Sequence, residues 1–451
     1  MQVQPPPGQL LGHPKGLFLL FSLEMWERFS YYGMRALLVL TLVAATGSAD
    51  PGFGFTNAEA LRLYSYFTAV VWFTPIIGGW LADRFLGQRR AVFIGALVMA
   101  GGQFIAGSAI PGNLPLFELG LTVLVLGNGL FKANISTMVG MLYQPGDARR
   151  DGAFTIFYVG INLGGLIGPL ICSTFGENPS FGWGYGYYAA GIGLTLSAVL
   201  QALFARRFLG ELGLRPSKHA VSEAGQTSKA PLTREEMQRI QVILMLFVFC
   251  VLFWAAFEQQ GGLLNLFAAN KTDRMIDGWE MPAGWLQSAE SFFIILLGPV
   301  FAIVWTGLGG RGRNPSSPVK MALGLVFSAC GFATMLGASV QTTADGKVSM
   351  AWLLIAYLFQ TMAELCISPV GLSMTTKLAP ARFASGIMGI WFLTNFGGNF
   401  VAGQVGALAD QMGESAIFAG FAVSLGLFAG ILWLLSPRLV RWMHGAEEVD
   451  A

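Results

Sequence analysis

The sequence predicts an all-α membrane protein of twelve transmembrane helices arranged as two six-helix halves. Three observations predict it: an apolar, charge-poor composition, twelve apolar stretches long enough to cross a bilayer, and a distribution of cations that puts both chain ends on one face. Of 451 residues, 54% are hydrophobic and 12% charged, about half the charge of a soluble domain; mean hydropathy is +0.58. That composition excludes a string of soluble domains. The 59 glycines suit membrane helices, which approach through small residues because lipid supplies no hydrophobic drive between them. A net charge of +2 argues for neither nucleic acid nor an acidic partner. Cys172, Cys250, Cys330 and Cys366 lie in or beside apolar runs without metal or disulfide spacing, and read as buried thiols. The proline-rich start has no short apolar core with a cleavage site, so the first apolar stretch is expected to be a retained helix rather than a removable signal.

A span needs about 20 apolar residues. The first, near 17–46, holds Glu24, Glu27, Arg28 and Arg35. The second, near 59–84, contains Pro75, and the third runs near 90–110. The fourth, near 115–143, carries Lys132; the fifth and sixth run near 152–175 and 185–208. The longest polar stretch follows, and 209–236 is expected to be a linker, flexible or a short amphipathic helix. Residues 1–208 and 237–451 are then the two six-helix bundles. The seventh span, near 237–269, contains Glu258. The eighth, near 284–308, contains Glu290 and Pro299. The ninth runs near 319–340, and the tenth, near 350–378, holds Glu364. The last two run near 384–409 and 416–437. Pro75 and Pro299 occupy matching helices of the halves, as expected of a repeat with bent helices.

Of the 27 Lys and Arg residues, three are mid-span (Arg28, Arg35, Lys132) and four face the first loop (Arg62, Lys271, Arg274, Lys347). The other 20 (27 − 3 − 4) share the side of the termini and linker. The positive-inside rule makes that side cytoplasmic.

Each mid-span ionisable group costs about 2.5–3.5 kcal/mol on insertion scales, so eight of them are expected to face one another across a watered interior. Purely structural ion pairs are the bland alternative. Helical geometry argues against it: Glu24, Glu27, Arg28, Tyr31 and Arg35 fall within roughly 100° of one another, with Tyr32 at the edge. So close a mixture of acids and bases is poised to exchange partners. Five interior acids against three bases leave about two negatives uncompensated, which favours uptake of a proton or a cation. All three histidines lie outside the spans, so a proton relay has to run on carboxylates. Fixed cations beside fixed anions suit a zwitterion: Arg28, Arg35 and Lys132 for a carboxylate, Glu364 or Glu290 for an ammonium. Tyr31, Tyr32, Tyr64, Trp254, Trp391 and Phe392 are candidate pocket aromatics, although membrane packing explains any one of them alone.

Motifs sharpen the reading. The first span reads E-M-W-E-R-F-S-Y-Y-G-M-R from Glu24 to Arg35. The loop after the second reads G-G-W-L-A-D-R-F-L-G-Q-R-R from Gly78, and the fifth span F-Y-V-G-I-N-L-G-G-L from Phe157. The seventh carries F-W-A-A-F-E-Q-Q-G from Phe253, the tenth E-L-C-I-S-P-V-G-L-S from Glu364, and the eleventh G-I-W-F-L-T-N from Gly389. Over nearly its whole length the chain resembles the proton-dependent oligopeptide transporter family of the major facilitator superfamily. The resemblance implies a major facilitator fold and a proton-coupled symporter that imports di- and tripeptides by alternating access. It implies that Arg28, Arg35 and Lys132 bind the peptide carboxylate and respond to protonation of Glu24 and Glu27, and that Arg35 pairs with Glu258 as an outer gate. Glu364 matches the amine-binding acid, Asn162 the backbone-binding amide, and Tyr64, Trp391 and Phe392 cavity positions; Trp254 is counted with the peptide site. Gly78, Asp83, Arg84, Gly87, Arg89 and Arg90 match the cytoplasmic gating motif.

Two departures stand out. Where the family usually has Q-S-x-N, Gln287-Ser288-Ala289-Glu290 places a carboxylate, which favours cationic peptides or a second proton. The linker is also too short for the two extra helices of many bacterial members. The expected partners are a peptide and the bilayer, without nucleic acid, cofactor or metal, protons being the coupling ion. A monomer in the plasma (inner) membrane is expected. The rival reading is a carrier of the same fold for another anion or zwitterion, such as nitrate or a peptide-like drug. A membrane enzyme has no catalytic cluster in the spans, and a transport-derived sensor lacks a large soluble output domain.

Overall fold

The computed structural model describes residues 8–144, 146–216, 232–380 and 384–446. Part of the expected linker, 217–231, and the C-terminal end lie outside the described residues. Among the described residues, twelve long helices follow one another in chain order. They are α1 (Lys15–Val43), α2 (Asn57–Leu81), α3 (Gln88–Ser108), α4 (Leu114–Met141), α5 (Arg149–Gly176) and α6 (Trp183–Leu209). After the linker come α7 (Arg234–Phe257), α8 (Ser288–Gly309), α9 (Ser317–Asp345), α10 (Ala351–Leu378), α11 (Ala384–Ala407) and α12 (Glu414–Trp442). Strands among the described residues are two-residue pairs in loops.

Ten of these helical stretches are long and apolar enough to cross a membrane. The other two are the most polar at their centres. In α1 the charges of Glu24, Glu27, Arg28 and Arg35 lower the hydropathy, and in α11 Thr394, Asn395 and Asn399 do. Both are still mostly apolar and of spanning length, and the chain is an all-α membrane protein of the major facilitator fold.

Local chemistry sets the helix ends. Asn113 caps α4 by accepting from the Leu116 N–H at 3.2 Å, with Pro115 in the first turn, where no N–H is needed. Thr233 and Glu236 form a reciprocal capping box at the start of α7. Pro75 and Pro299 both lie inside their helices.

The chain forms two compact units. The first comprises the described residues of Met1–Thr56, Val70–Gln226 and Pro282–Ser291; the second those of Asn57–Ala69, Thr227–Met281 and Phe292–Ala451. Two short segments therefore belong with helices remote in sequence. In the first unit, the Glu177 carboxylate at the end of α5 accepts the Ala283 N–H at 2.6 Å and the Gly284 N–H at 2.8 Å. The Trp285 indole donates to the Leu170 carbonyl at 2.9 Å, and the Ser288 hydroxyl to the Leu166 carbonyl at 2.8 Å. In the second unit, the start of α2 is tied by the Ala58 N–H to Asp410 at 2.9 Å, and Ser65 lies against Gly403.

Within the first unit α1 packs on α5 and α6, and α3 on α4 and α6. The α1–α5 crossing depends on a stripe of small residues, Gly160, Gly164 and Gly168, one turn apart. A side chain at Gly164 would meet the Met25 carbonyl and Arg28 Cβ, and one at Gly168 the Phe29 carbonyl. In the second unit α9 packs on α10 and α12, and α7 on α11. Cys172, Cys250 and Cys366 are buried free thiols, while Cys330 is half-buried.

Candidate functional site

The close α1–α5 crossing buries the charged stripe of α1 inside the first unit. Glu24 and Glu27 are 0% and 1% exposed, Arg28 and Arg35 4% and 3%. Such burial requires pairing. Arg28 meets Glu27 through two nitrogens, Nε at 2.5 Å and Nη2 at 2.6 Å. Its Nε also stands 3.6 Å from Glu24 Oε1. The same Glu24 oxygen accepts from Lys132 Nζ of α4 at 2.8 Å. Glu24 is thus shared between two cations, and its other oxygen, Oε2, is buried without a donor among the described residues. The charges of Glu24, Glu27, Arg28 and Lys132 cancel.

Aromatic rings flank the stripe. The Arg28 guanidinium lies 4.9 Å from the centre of the Tyr31 ring, and that of Arg35 lies 5.8 Å from the Tyr32 ring, both within cation–π range. Glu290 is 5% exposed and sits on the segment bound to α5, in this same unit. The first unit therefore holds three interior acids and three interior bases. Among the described residues the second holds Glu258 and Glu364 and no mid-span cation, so the two surplus negatives counted from the sequence both belong to it.

The remaining candidates fall into smaller groups. In the second unit Glu258 opens a short 3₁₀ turn (Glu258–Gln260) that ends α7. The Tyr64 hydroxyl points at it from 3.5 Å. The turn is pinned by the neighbouring Gln259 amide, which donates to the Ala402 carbonyl of α11 at 2.8 Å. Trp254 is buried between Phe253 and Phe257 and against Gly398. Trp391 is buried against Phe247 and Gly371, while the adjacent Phe392 is half-buried. Glu364 lies mid-α10, half-buried, ahead of Pro369. In the first unit the Asn162 amide donates to the Tyr158 carbonyl of its own helix at 2.9 Å.

The loop motif also has a defined structure. Gly78 lies directly against the Gly129 backbone of α4. Beyond α2 the chain makes a π-helical turn (Ala82–Leu86) and reverses at Gly87, whose φ of +78° suits glycine. Asp83 accepts from Gln88 at 2.7 Å. The Arg89 N–H donates to the Gly213 carbonyl at 2.9 Å and its guanidinium to Gly210 at 2.6 Å. Arg84 lies over the Trp80 and Phe85 rings, and Arg90 is exposed.

Sequence reasoning passed over three participants. Asn128 donates to Glu27 Oε1 at 3.4 Å; standing one turn before Lys132, it was detectable as the polar neighbour on that face. Gln201 donates to the Arg89 carbonyl at 2.7 Å, and Glu177 anchors 283–284. Neither has a local sequence signal, because both partners are far along the chain.

The POT family model matches residues 89–213 and 214–422. A peptide transporter of Yersinia enterocolitica subsp. palearctica, YePEPT, is 37% identical over 97% of this chain and 96% of its own. A di-/tripeptide transporter of Lactococcus lactis subsp. cremoris is 32% identical over 96% and 97%. Among solved structures, a peptide transporter POT in complex with sulfate superimposes with a TM-score of 0.88, at 35% identity over 97% of both chains.

Proposed function

Because the chain belongs to the POT family, the proton-dependent oligopeptide transporters, we propose that it imports di- and tripeptides together with protons by alternating access. It is a transporter and not an enzyme. The observation that carries the reading is the Glu24 carboxylate shared by Lys132 and Arg28.

Energetics couple proton to peptide. Neutralising Glu24 leaves Glu27, Arg28 and Lys132 with a net charge of +1 in a buried site. Stripping one partner from a buried pair costs about 3–5 kcal/mol. A proton entering down its gradient supplies about 2.3 kcal/mol per 100 mV and about 1.4 kcal/mol per pH unit. Protonation alone is therefore close to the limit of the driving force. A second anion beside Lys132 and Arg28 offsets the deficit, and the C-terminal carboxylate of a peptide is such an anion. Glu24 Oε2, without a donor among the described residues, is the natural seat for the proton. Proton and peptide then bind as a pair, which is symport.

Glu258 is the proposed second titrating group, with Tyr64 beside it, and Glu364 the site for the peptide ammonium. Asn162, Trp254, Trp391 and Phe392 line the peptide site in this proposal, with Arg35 adding a cation. Glu290 adds a negative charge to the first unit and extends the range toward cationic peptides, or takes a second proton. The protein sits in the plasma membrane in this proposal, and the cation distribution supports placing both termini in the cytoplasm.

Competition separates peptides from other solutes. Uptake of labelled dialanine is expected to be inhibited by unlabelled di- and tripeptides and unaffected by nitrate or by alanine. Inhibition by nitrate or alanine equal to that by dialanine would replace peptides with a smaller anion or zwitterion as the substrate.

A further inference from the structure

Away from the charged stripe, the first unit has a cavity of about 310 Å³ between the cation-rich ends of α3 and α6, lined by Arg89, Arg90, Phe93, Ile94, Gln201 and Ala202. Its floor is fixed, since Gln201 is buried and holds the Arg89 carbonyl, while Arg89 itself is tied to Gly210 and Gly213. Arg90 is exposed and, among the described residues, makes no hydrogen bond or ion pair. Arg206 follows Ala202 by one turn on α6 and is exposed as well, so it adds a cation to the same face. Among the described residues no carboxylate lines the cavity.

Apart from Gln201, the rest of the lining is apolar, from Phe93, Ile94, Ala202 and Leu214, and both helices carry exposed apolar residues further along. Ile94 and Leu97 continue one face of α3 and are 37% and 46% exposed; Val199 and Leu203 on α6 are 45% and 66% exposed. Exposed apolar faces of spanning helices meet acyl chains, and Arg residues at their ends meet headgroups. A cationic pocket opening onto an apolar seam has the polarity of a phospholipid. A free anion would make no use of the seam.

We propose that this groove binds an anionic phospholipid of the leaflet on the cation-rich side, its phosphate against Arg90, Arg206 and the remaining N–H groups of Arg89, and an acyl chain along the α3–α6 seam. The site is independent of the peptide reading.

Native mass spectrometry of the full chain released from detergent tests it, with phosphatidylglycerol, phosphatidylcholine and glycerol 3-phosphate as probes. Phosphatidylglycerol is expected to be retained in preference to phosphatidylcholine, and glycerol 3-phosphate not at all. Each cation near an anionic lipid contributes about fivefold, so R90Q is expected to weaken retention about fivefold and R90Q/R206Q about 30-fold. R311Q/R313Q, at a different loop, leaves it unchanged. A202W fills the groove with every cation in place and is expected to abolish retention, which decides the matter should the double variant not fold. Equal retention of phosphatidylcholine, glycerol 3-phosphate binding as tight as phosphatidylglycerol, the same loss in R311Q/R313Q, or full retention in A202W would each overturn the proposal.

Discussion

Replacing Glu24 by glutamine removes one negative charge from a site where Lys132 Nζ stands 2.8 Å and Arg28 Nε 3.6 Å from the same oxygen. Two unit charges about 4 Å apart attract by roughly 4 kcal/mol at an effective dielectric near 20. Removing one partner of a buried pair costs about 3–5 kcal/mol. The Lys132 side chain is 17% exposed and its long stem can turn toward water, so the lower end, about 3 kcal/mol, is expected. E24Q and K132Q should therefore each melt several degrees below the parent. The double variant E24Q/K132Q should lose about 3–4 kcal/mol instead of the additive sum of about 6, an interaction energy of about 2–3 kcal/mol in the cycle. In transport, E24Q cannot cycle a proton at this site. Dialanine accumulation driven by a pH gradient is expected to fall to background in proteoliposomes, while counterflow between peptide-loaded and labelled sides persists. Additive stability losses would show that Glu24 and Lys132 are not coupled. Undiminished gradient-driven accumulation by E24Q would remove Glu24 from the proton path.

Further expectations follow from single contacts. E258Q should abolish gradient-driven uptake and spare exchange, read by the same pair of assays; unchanged driven uptake would exclude Glu258 as a titrating group. Gly164→Ala sets a methyl against the Met25 carbonyl and Arg28 Cβ, and overpacking of this kind costs about 1–3 kcal/mol; lower thermal stability together with weaker peptide affinity is expected, and wild-type values for both would mean that the crossing does not place Arg28. Gly87→Ala forces φ of +78° on a residue with a side chain and crowds the Gly213 carbonyl at 2.7 Å, a cost of about 1–3 kcal/mol, visible as a fall in melting temperature. Glu290→Asn should lower uptake of lysine-containing dipeptides relative to dialanine; an unchanged ratio would separate Glu290 from substrate charge selection.

What the sequence disclosed was local. The helices were legible because apolar runs of spanning length are bounded by polar loops, and α1 was legible in more detail because its charges recur at helical spacing in an apolar run. The pairing of Glu24 with Lys132 was expected only as a general convergence of charges, since the partners are 108 residues apart and nothing in either neighbourhood specifies the other. For the same reason the docking of 282–291 on α5 was invisible: Glu177 accepts backbone N–H groups, and Trp285 and Ser288 donate to α5 carbonyls, and backbone partners leave no mark in a sequence. The low hydropathy of α11 shows the converse. Thr394, Asn395 and Asn399 make it marginal by composition, yet the Thr394 hydroxyl and the Asn399 amide each donate to a carbonyl of their own helix, so part of that polarity is met inside the span. The π turn at 82–86 was likewise hidden, because it arises from the reversal at Gly87 and its ties to 210–213.

The most direct test of the coupling is simultaneous measurement of peptide and proton movement in liposomes that contain only this protein, with labelled dialanine outside and a pH-reporting dye within. With an acidic exterior, dialanine is expected to rise above its external concentration while the lumen acidifies in step, and both signals should vanish when an ionophore collapses the gradient. Equal accumulation without the gradient, or uptake without acidification, would contradict proton-coupled peptide import.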